Sequence, residues 1–296
     1  ADGNILNITT QDAVNANKTI EATNVKGPGH TAIGQQNQIY SISAAEAEES
    51  QGSSSAIGNQ NVVKGEQANA IGDGNDAYGH FTQSVGDNNK VYADHSLGYG
   101  AHNKVGAQRA IGTPEKDVVV DKNTNKASVF GLNNEVVGKN VFVAGNDNKI
   151  TDTSTSNATV IGFGATASSA NATAIGTAAS ALANETVAIG QAAKASGQNS
   201  NAYGSQANAS GTSSLAVGTG SVASGDSAVT GGSAVAIGAS ATSTGKWSTA
   251  LGDSANAKGE KSVALSKDSY AKDDNSVALG SGTITRSATQ ENTATV

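Results

Sequence analysis

A period of fourteen residues constrains this chain more than any other feature of its sequence. From Ala174 to Gly218 the sequence superimposes on itself as Ala174-Ile175-Gly176, Ala188-Ile189-Gly190, Ala202-Tyr203-Gly204 and Ala216-Val217-Gly218. Small residues recur between these landmarks, as in Ala179/Ala181, Ala193/Ala195 and Ala207/Ala209, and Gly197, Gly211 and Gly225 share one offset. A repeat this short cannot enclose a core by itself, so successive repeats must stack. The chain is predicted to be a solenoid.

The glycine landmarks extend the register over most of the sequence: Gly34, Gly58, Gly72, Gly86, Gly100, Gly112, Gly131, Gly145, Gly162, Gly176, Gly190, Gly204, Gly218, Gly238, Gly252, Ser266 in the glycine slot, and Gly280. Each repeat reads as two short strands and two turns. In the first strand, apolar residues stand two apart, as in Val187/Ile189, Leu215/Val217, Val235/Ile237, Val263/Leu265 and Val277/Leu279. Residues so spaced share one face of a strand. Frequent glycine and β-branched residues oppose a helix.

The expected arrangement places the Val/Ile pairs inside, against the alanines of the second strand. The intervening alanines then face outward and form the seam with other chains: Ala174, Ala188, Ala202, Ala216, Ala236, Ala250, Ala264 and Ala278. Such a coil buries only roughly two large apolar side chains, which favours assembly of several parallel copies.

Composition agrees with thin stacked sheets. Cys and Met are absent, Pro occurs twice, Gly 36 times, and aromatics make up 4% of the 296 residues. The fixed period of the apolar residues distinguishes the chain from a disordered Gly/Ser/Ala-rich one. With a net charge of −7 and no basic stripe, a nucleic-acid partner is not expected. No run of about 20 apolar residues suggests a membrane span. The start at Ala1 reads as a mature or trimmed end.

Two kinds of repeat alternate with four departures from the period. In the N-terminal part the third residue after glycine is Asn and the fifth is usually Val or Ile, as in Asn61/Val63, Asn89/Val91 and Asn148/Ile150. Stacked Asn side chains hydrogen-bond along a coil axis, so this ladder is read as structural. From Gly162 to Gly252 the same slots are mostly Ala/Ala. Extra residues interrupt the period near 35–55, 113–128, 148–157 and 219–235. Insertions on a rigid scaffold are where recognition usually resides. The first two supply the candidate ligand-binding residues: Ile39, Tyr40, Ile42, Glu46, Glu48 and Glu49, then Glu115, Val118, Val119, Val120, Lys122 and Asn123. Residues 1–30 lack a clean repeat and are expected to cap a head spanning 31–280.

The coils Ser262-Val263-Ala264-Leu265 and Asn275-Ser276-Val277-Ala278-Leu279-Gly280 resemble the head repeat of trimeric autotransporter adhesins, the YadA-like family. Residues 281–296 look like the start of the neck that joins head to stalk in that family. The resemblance implies an all-β, left-handed parallel β-roll of roughly fourteen-residue coils, assembled as a parallel homotrimer. It implies exposure on a bacterial outer membrane through an anchor outside this sequence. It also implies adhesion to a host surface: collagen, fibronectin, or an epithelial receptor of the carcinoembryonic-antigen type. In some members the repeat surface itself binds collagen. The clearest equivalent here is Asn275 to Ser281, with Leu279 in place of Ile.

Catalysis, cofactors and metals are not expected. His30, His80, His95 and His102 show no metal-ligand spacing, and no nucleophile elbow or recurring carboxylate pair is present. A spacer without its own ligand is the alternative to an adhesin. An ice-binding ladder would need Thr-x-Thr in register, and Thr151-Asp152-Thr153 and Thr242-Ser243-Thr244 do not recur on the period.

Overall fold

The computed structural model describes residues 6–7, 30–40, 53–106, 121–225 and 232–285. The chain divides into two compact units, Ala1–Ala170 and Asn171–Val296. The described residues are all-β, with no helix. Each unit is a parallel β-solenoid in which every coil contributes one strand to each of two sheets.

In the first unit the first-sheet strands are five residues long, as in Ser55–Asn59, Asn69–Asp73, Gln83–Asp87, Ser128–Leu132 and Thr159–Phe163. Short second-sheet strands follow them, such as Val62–Lys64, Lys90–Val91 and Glu135–Val136. In the second unit the first strands shorten to three residues, as in Val187–Ile189 and Thr249–Leu251. Pairing is parallel and in register: Ile57 stands beside Ile71 and then Val85, and Ala188 beside Ala202 and then Ala216. The fourteen-residue period is therefore the repeat of the coil.

Glycine sets the first turn. Gly86 adopts φ +123°, and a Cβ there would lie 1.9 Å from the carbonyl oxygen of Gly100 in the next coil. Only a residue without Cβ tolerates both the dihedral and that approach. Ser266 occupies the same slot at φ 111° and is the exception to the rule.

The strand faces are the reverse of those expected from the sequence. Ala174, Ala188, Ala202, Ala216, Ala236, Ala250 and Ala264 are 0% exposed within a single chain, and Ala278 is 2% exposed. They point into the roll against second-strand alanines such as Ala257 and Ala271. Their neighbours Ile189, Tyr203, Leu251 and Leu265 stand outside, between 36% and 42% exposed. The reason is steric: in the second unit alanine methyl groups from both sheets fill the gap, and the larger Ile and Leu stay outside. These eight alanines therefore form the interior of one chain and not a seam between chains.

The first unit has a bulkier core. Val63, Val91, Val105, Val136 and Ile150 of the second sheet are fully buried and face Ala56, Ala70, Val129, Val143 and Val160 of the first. Space for the larger side chains comes from small partners such as Gly98, where an added Cβ would meet Val91 at 2.7 Å.

The asparagine ladder is buried and continuous within the first unit. Asn61, Asn75, Asn89, Asn103, Asn134 and Asn148 are 0% exposed. The Asn89 side-chain amide donates to Asn75 Oδ1 (3.1 Å), Val85 O (3.0 Å) and Gly100 O (2.7 Å). Its own Oδ1 accepts from the Asn103 backbone N–H and side-chain amide, at 3.1 and 2.8 Å. The ladder ends where Ala165 N–H donates to Asn148 Oδ1. In the second unit alanine or a hydroxyl residue takes the slot, and the glycine carbonyl is satisfied locally instead. Ala193 N–H donates to Gly190 O (3.3 Å), Ala207 N–H to Gly204 O (3.2 Å) and Ala255 N–H to Gly252 O (3.2 Å). Exchanging Asn for Ala thus changes the partner of one carbonyl and shortens the strand, without leaving that carbonyl unpaired.

The ladder also corrects one landmark. Gly100 pairs directly with Gly131, and Asn134 bonds to Asn103 thirty-one residues away. Gly112 therefore does not begin a coil between them, and it lies outside the described residues. The Gly34-to-Gly58 step keeps its register, with Gln38 beside Val62.

Candidate functional site

The outer face of the first sheet is apolar in both units. In the first unit Tyr99, Phe130 and Phe142 form an exposed aromatic row, with ring centroids 6.0 Å apart for Tyr99–Phe130 and 5.9 Å for Phe130–Phe142. Leu132, Ile161 and Phe163 are also exposed. In the second unit Ile189, Tyr203, Leu251 and Leu265 continue the pattern within their own sheet. Parallel in-register pairing stacks like residues into rows, so a motif that is modest in one coil becomes a contiguous apolar strip.

The second turn, which returns the chain from second sheet to first, carries the other distinctive features. In the first unit the period breaks between Tyr40 and Ser53, between Gly106 and Asp121, and between Ile150 and Thr155. In the second unit it breaks between Gly225 and Gly232. All four breaks fall at this turn. The first-turn glycines stay stacked across these breaks, as Gly34 does on Gly58 and Gly218 on Gly238. Among the described residues, second-turn positions with φ of 52–58° include Gln67, Phe81, His95, Asn171, Asn199, Trp247, Lys261 and Asn275.

Asparagine tolerates this left-handed region, and a bulky ring there is an outlier. Phe81 and His95 nevertheless stack across adjacent coils at 5.1 Å and 21°. Trp247, the single tryptophan of the chain, is 45% exposed, with Lys246 Nζ 4.0 Å and Lys261 Nζ 5.3 Å from its ring centroid. Exposed cation–π contacts contribute about 0.5–1 kcal/mol each. The left-handed backbone costs a non-glycine residue about 1–2 kcal/mol. The indole at this position therefore brings the fold no clear net stabilisation.

The predicted ligand-binding residues separate into four groups. Ile39 packs inward against the cluster of Ala56, Val63, Ala68, Ala70 and Ala77, so it serves the core. Tyr40 ends the strand Gln38–Tyr40. Ile42, Glu46, Glu48, Glu49, Glu115, Val118, Val119 and Val120 lie outside the described residues. Lys122 and Asn123 are exposed where the chain rejoins the coil. Lys122 Nζ stands 3.4 Å from Asp94 Oδ2, and Asn123 N–H donates to Asp121 Oδ1 at 2.9 Å.

Sequence reasoning missed charged pairs on the second sheet of the first unit and in the turns that follow it. Lys90 Nζ lies 3.0 Å from Asp76 Oδ1, Tyr92 Oη donates to Asp76 Oδ2 at 2.5 Å, and His80 Nδ1 is 3.6 Å from Glu66 Oε2. Their fourteen- and sixteen-residue separations become neighbours only through the coil register. Burial lowers the pKa of His30, whose Nδ1 accepts the Ser54 N–H at 3.1 Å. Among the described residues no group of three or more His, Cys, Asp or Glu is placed to hold a metal ion.

The YadA head domain repeat matches residues 156–179, 181–207, 209–229, 244–265 and 267–283, so these coils are similar to the head repeats of YadA-like adhesins. No curated protein matches the chain. The matched head repeat indicates an adhesin-type function in general.

Proposed function

We propose that this chain is the head of a bacterial surface adhesin, assembled as a parallel homotrimer and bound to a host receptor or matrix protein. The observation that carries the assembly is the apolar outer face of the first sheet. Ile189, Leu251 and Leu265 are large, exposed and stacked in register. The alanine interior behind them contributes little burial per coil, at about 0.8 kcal/mol for each buried methyl-sized group. Covering the outer face by other copies supplies the missing burial. The seam on this reading is the row flanking each alanine, not the alanine itself. Similarity of residues 156–283 to the head repeat supports three copies and an outer-membrane location.

Receptor binding is assigned to the second-turn edge, where the chain tolerates added residues without disturbing the glycine stack. The partner is a host protein: a carcinoembryonic-antigen-type receptor, collagen or fibronectin. The test is an array of purified host surface and matrix proteins probed with the whole chain, then with a variant shortened to the fourteen-residue period at 41–52. An adhesin binds a member of the array and loses it on shortening. Binding to nothing, or binding untouched by removal of the insertions, sinks the loop assignment and favours a spacer.

A further inference from the structure

The turn around Trp247 has the chemistry of a small-ligand platform. Trp247 presents nearly half its surface to solvent, and two ammonium groups lie over its ring, one from its own turn and one from the next coil. The two turns are locked together, since Lys261 N–H donates to Lys246 O at 2.8 Å. Lys246 makes no ion pair among the described residues, and Lys261 has one partner, Glu260, at 3.1 Å. The equivalent turn positions in this unit are Asn171, Glu185, Asn199, Ser213 and Asn275, so the repeat does not require an aromatic.

We infer that Trp247, Lys246 and Lys261 bind an acidic sugar: a pyranose bearing a single carboxylate, such as the terminal sialic acid of a glycan. The indole offers an apolar face for the C–H side of the ring, and its edge and N–H are electropositive. The two ammonium groups provide the counter-charge for one carboxylate beside that face. Charge placement argues for one anionic group over a run of them. Glu260 and Asp274 occupy the column that starts with Lys246, where Glu260 N–H donates to Asp274 Oδ1 at 2.7 Å. A linear polyanion lying along the coils would meet these carboxylates after its first contact. This inference concerns a site apart from the first-sheet face, and its test is separate from that of the receptor array.

Because Trp247 is the only tryptophan, its fluorescence reports on the site directly. The whole chain is titrated with sialyllactose, with lactose, and with a heparin-derived oligosaccharide. A saturable change with sialyllactose and none with lactose is expected. Lys246→Gln and Lys261→Gln should each weaken it about tenfold, the loss of one charge-assisted contact. Trp247→Asn, the residue found at Asn171 and Asn275, should abolish binding in saturation-transfer NMR while the circular dichroism is unchanged. If Trp247→Asn fails to fold, the two lysine variants decide, since neither side chain is part of the interior. Equal responses to lactose and sialyllactose, binding of heparin oligosaccharide alone, or no response to any probe overturns the inference. Sedimentation of the same sample shows whether a non-binding chain has still assembled.

Discussion

Ser266 shows how strict the glycine slot is. It holds φ 111° where every neighbouring coil has glycine, a conformation that L-residues adopt only under constraint. Its main-chain bonds are those of the other coils, with Ser266 N–H donating to Leu251 O at 2.8 Å. Ser266→Gly is therefore expected to stabilise the second unit by about 1 kcal/mol, measured as a higher denaturation midpoint. The opposite change, Gly86→Ala, has no such latitude. Its Cβ would overlap a backbone oxygen at 1.9 Å, so the expectation is loss of the β signal in circular dichroism or insoluble protein.

His30 gives a pH dependence at the same scale. Its folded pKa lies below the ordinary value because burial disfavours the imidazolium. Below about pH 6.5 the unfolded chain binds a proton that the folded chain does not. The stabilisation from neutral His30 is thus complete above that pH and is lost as pH falls through the folded pKa. His30→Gln should flatten this part of the stability–pH curve; an unchanged curve would show that His30 does not contribute to it.

At the scale of the element, the asparagine ladder and the glycine stack are one device. Each Asn amide holds the glycine carbonyl of the following coil, as Asn61 does for Gly72 at 2.8 Å, and passes its own oxygen onward. Asn89→Ala removes side-chain donors from Asn75 Oδ1 and Gly100 O and takes the Asn89 Oδ1 acceptor from the Asn103 backbone N–H. With about 1–3 kcal/mol for each buried group left unpaired, a loss of about 3 kcal/mol is expected in chemical denaturation of the whole chain. A loss under about 1 kcal/mol would mean that the local turn bond seen at Ala193 can form in a mixed ladder as well.

The spacing of Asn61, Asn89 and Asn148 from their glycines makes this element legible in the sequence. The landmark at Gly112 misled because an Ala-Ile-Gly triplet mimics a coil start, and only pairing shows that Gly100 lies next to Gly131.

At the scale of the whole molecule, assembly is the decisive property. Leu251→Asp places a charge on the outer face without touching the roll interior, so copies should separate in sedimentation while the β signal persists. Ala250→Asp, one residue away, would bury a carboxylate among Ala255, Ala257 and Ala264, and the second unit itself should fail. If Leu251→Asp leaves the assembly intact, the outer face of the first sheet is not the seam.

Sequence alone determined that this chain stacks fourteen-residue coils, that Asn and Ala coils differ, and that the period breaks in a few places. Periodicity carries that information because a solenoid repeats its environment as well as its residues. Tertiary structure decided which strand face is inside, since period-two alternation marks two faces but not which of them is enclosed. That depends on the gap between the sheets, which in the second unit admits alanine and leaves Ile189, Leu251 and Leu265 outside. It also decided that all four breaks share the second turn, and that Trp247 meets a lysine from the next coil. Contacts across coils join residues that the sequence holds apart, and only the register of stacking brings them together.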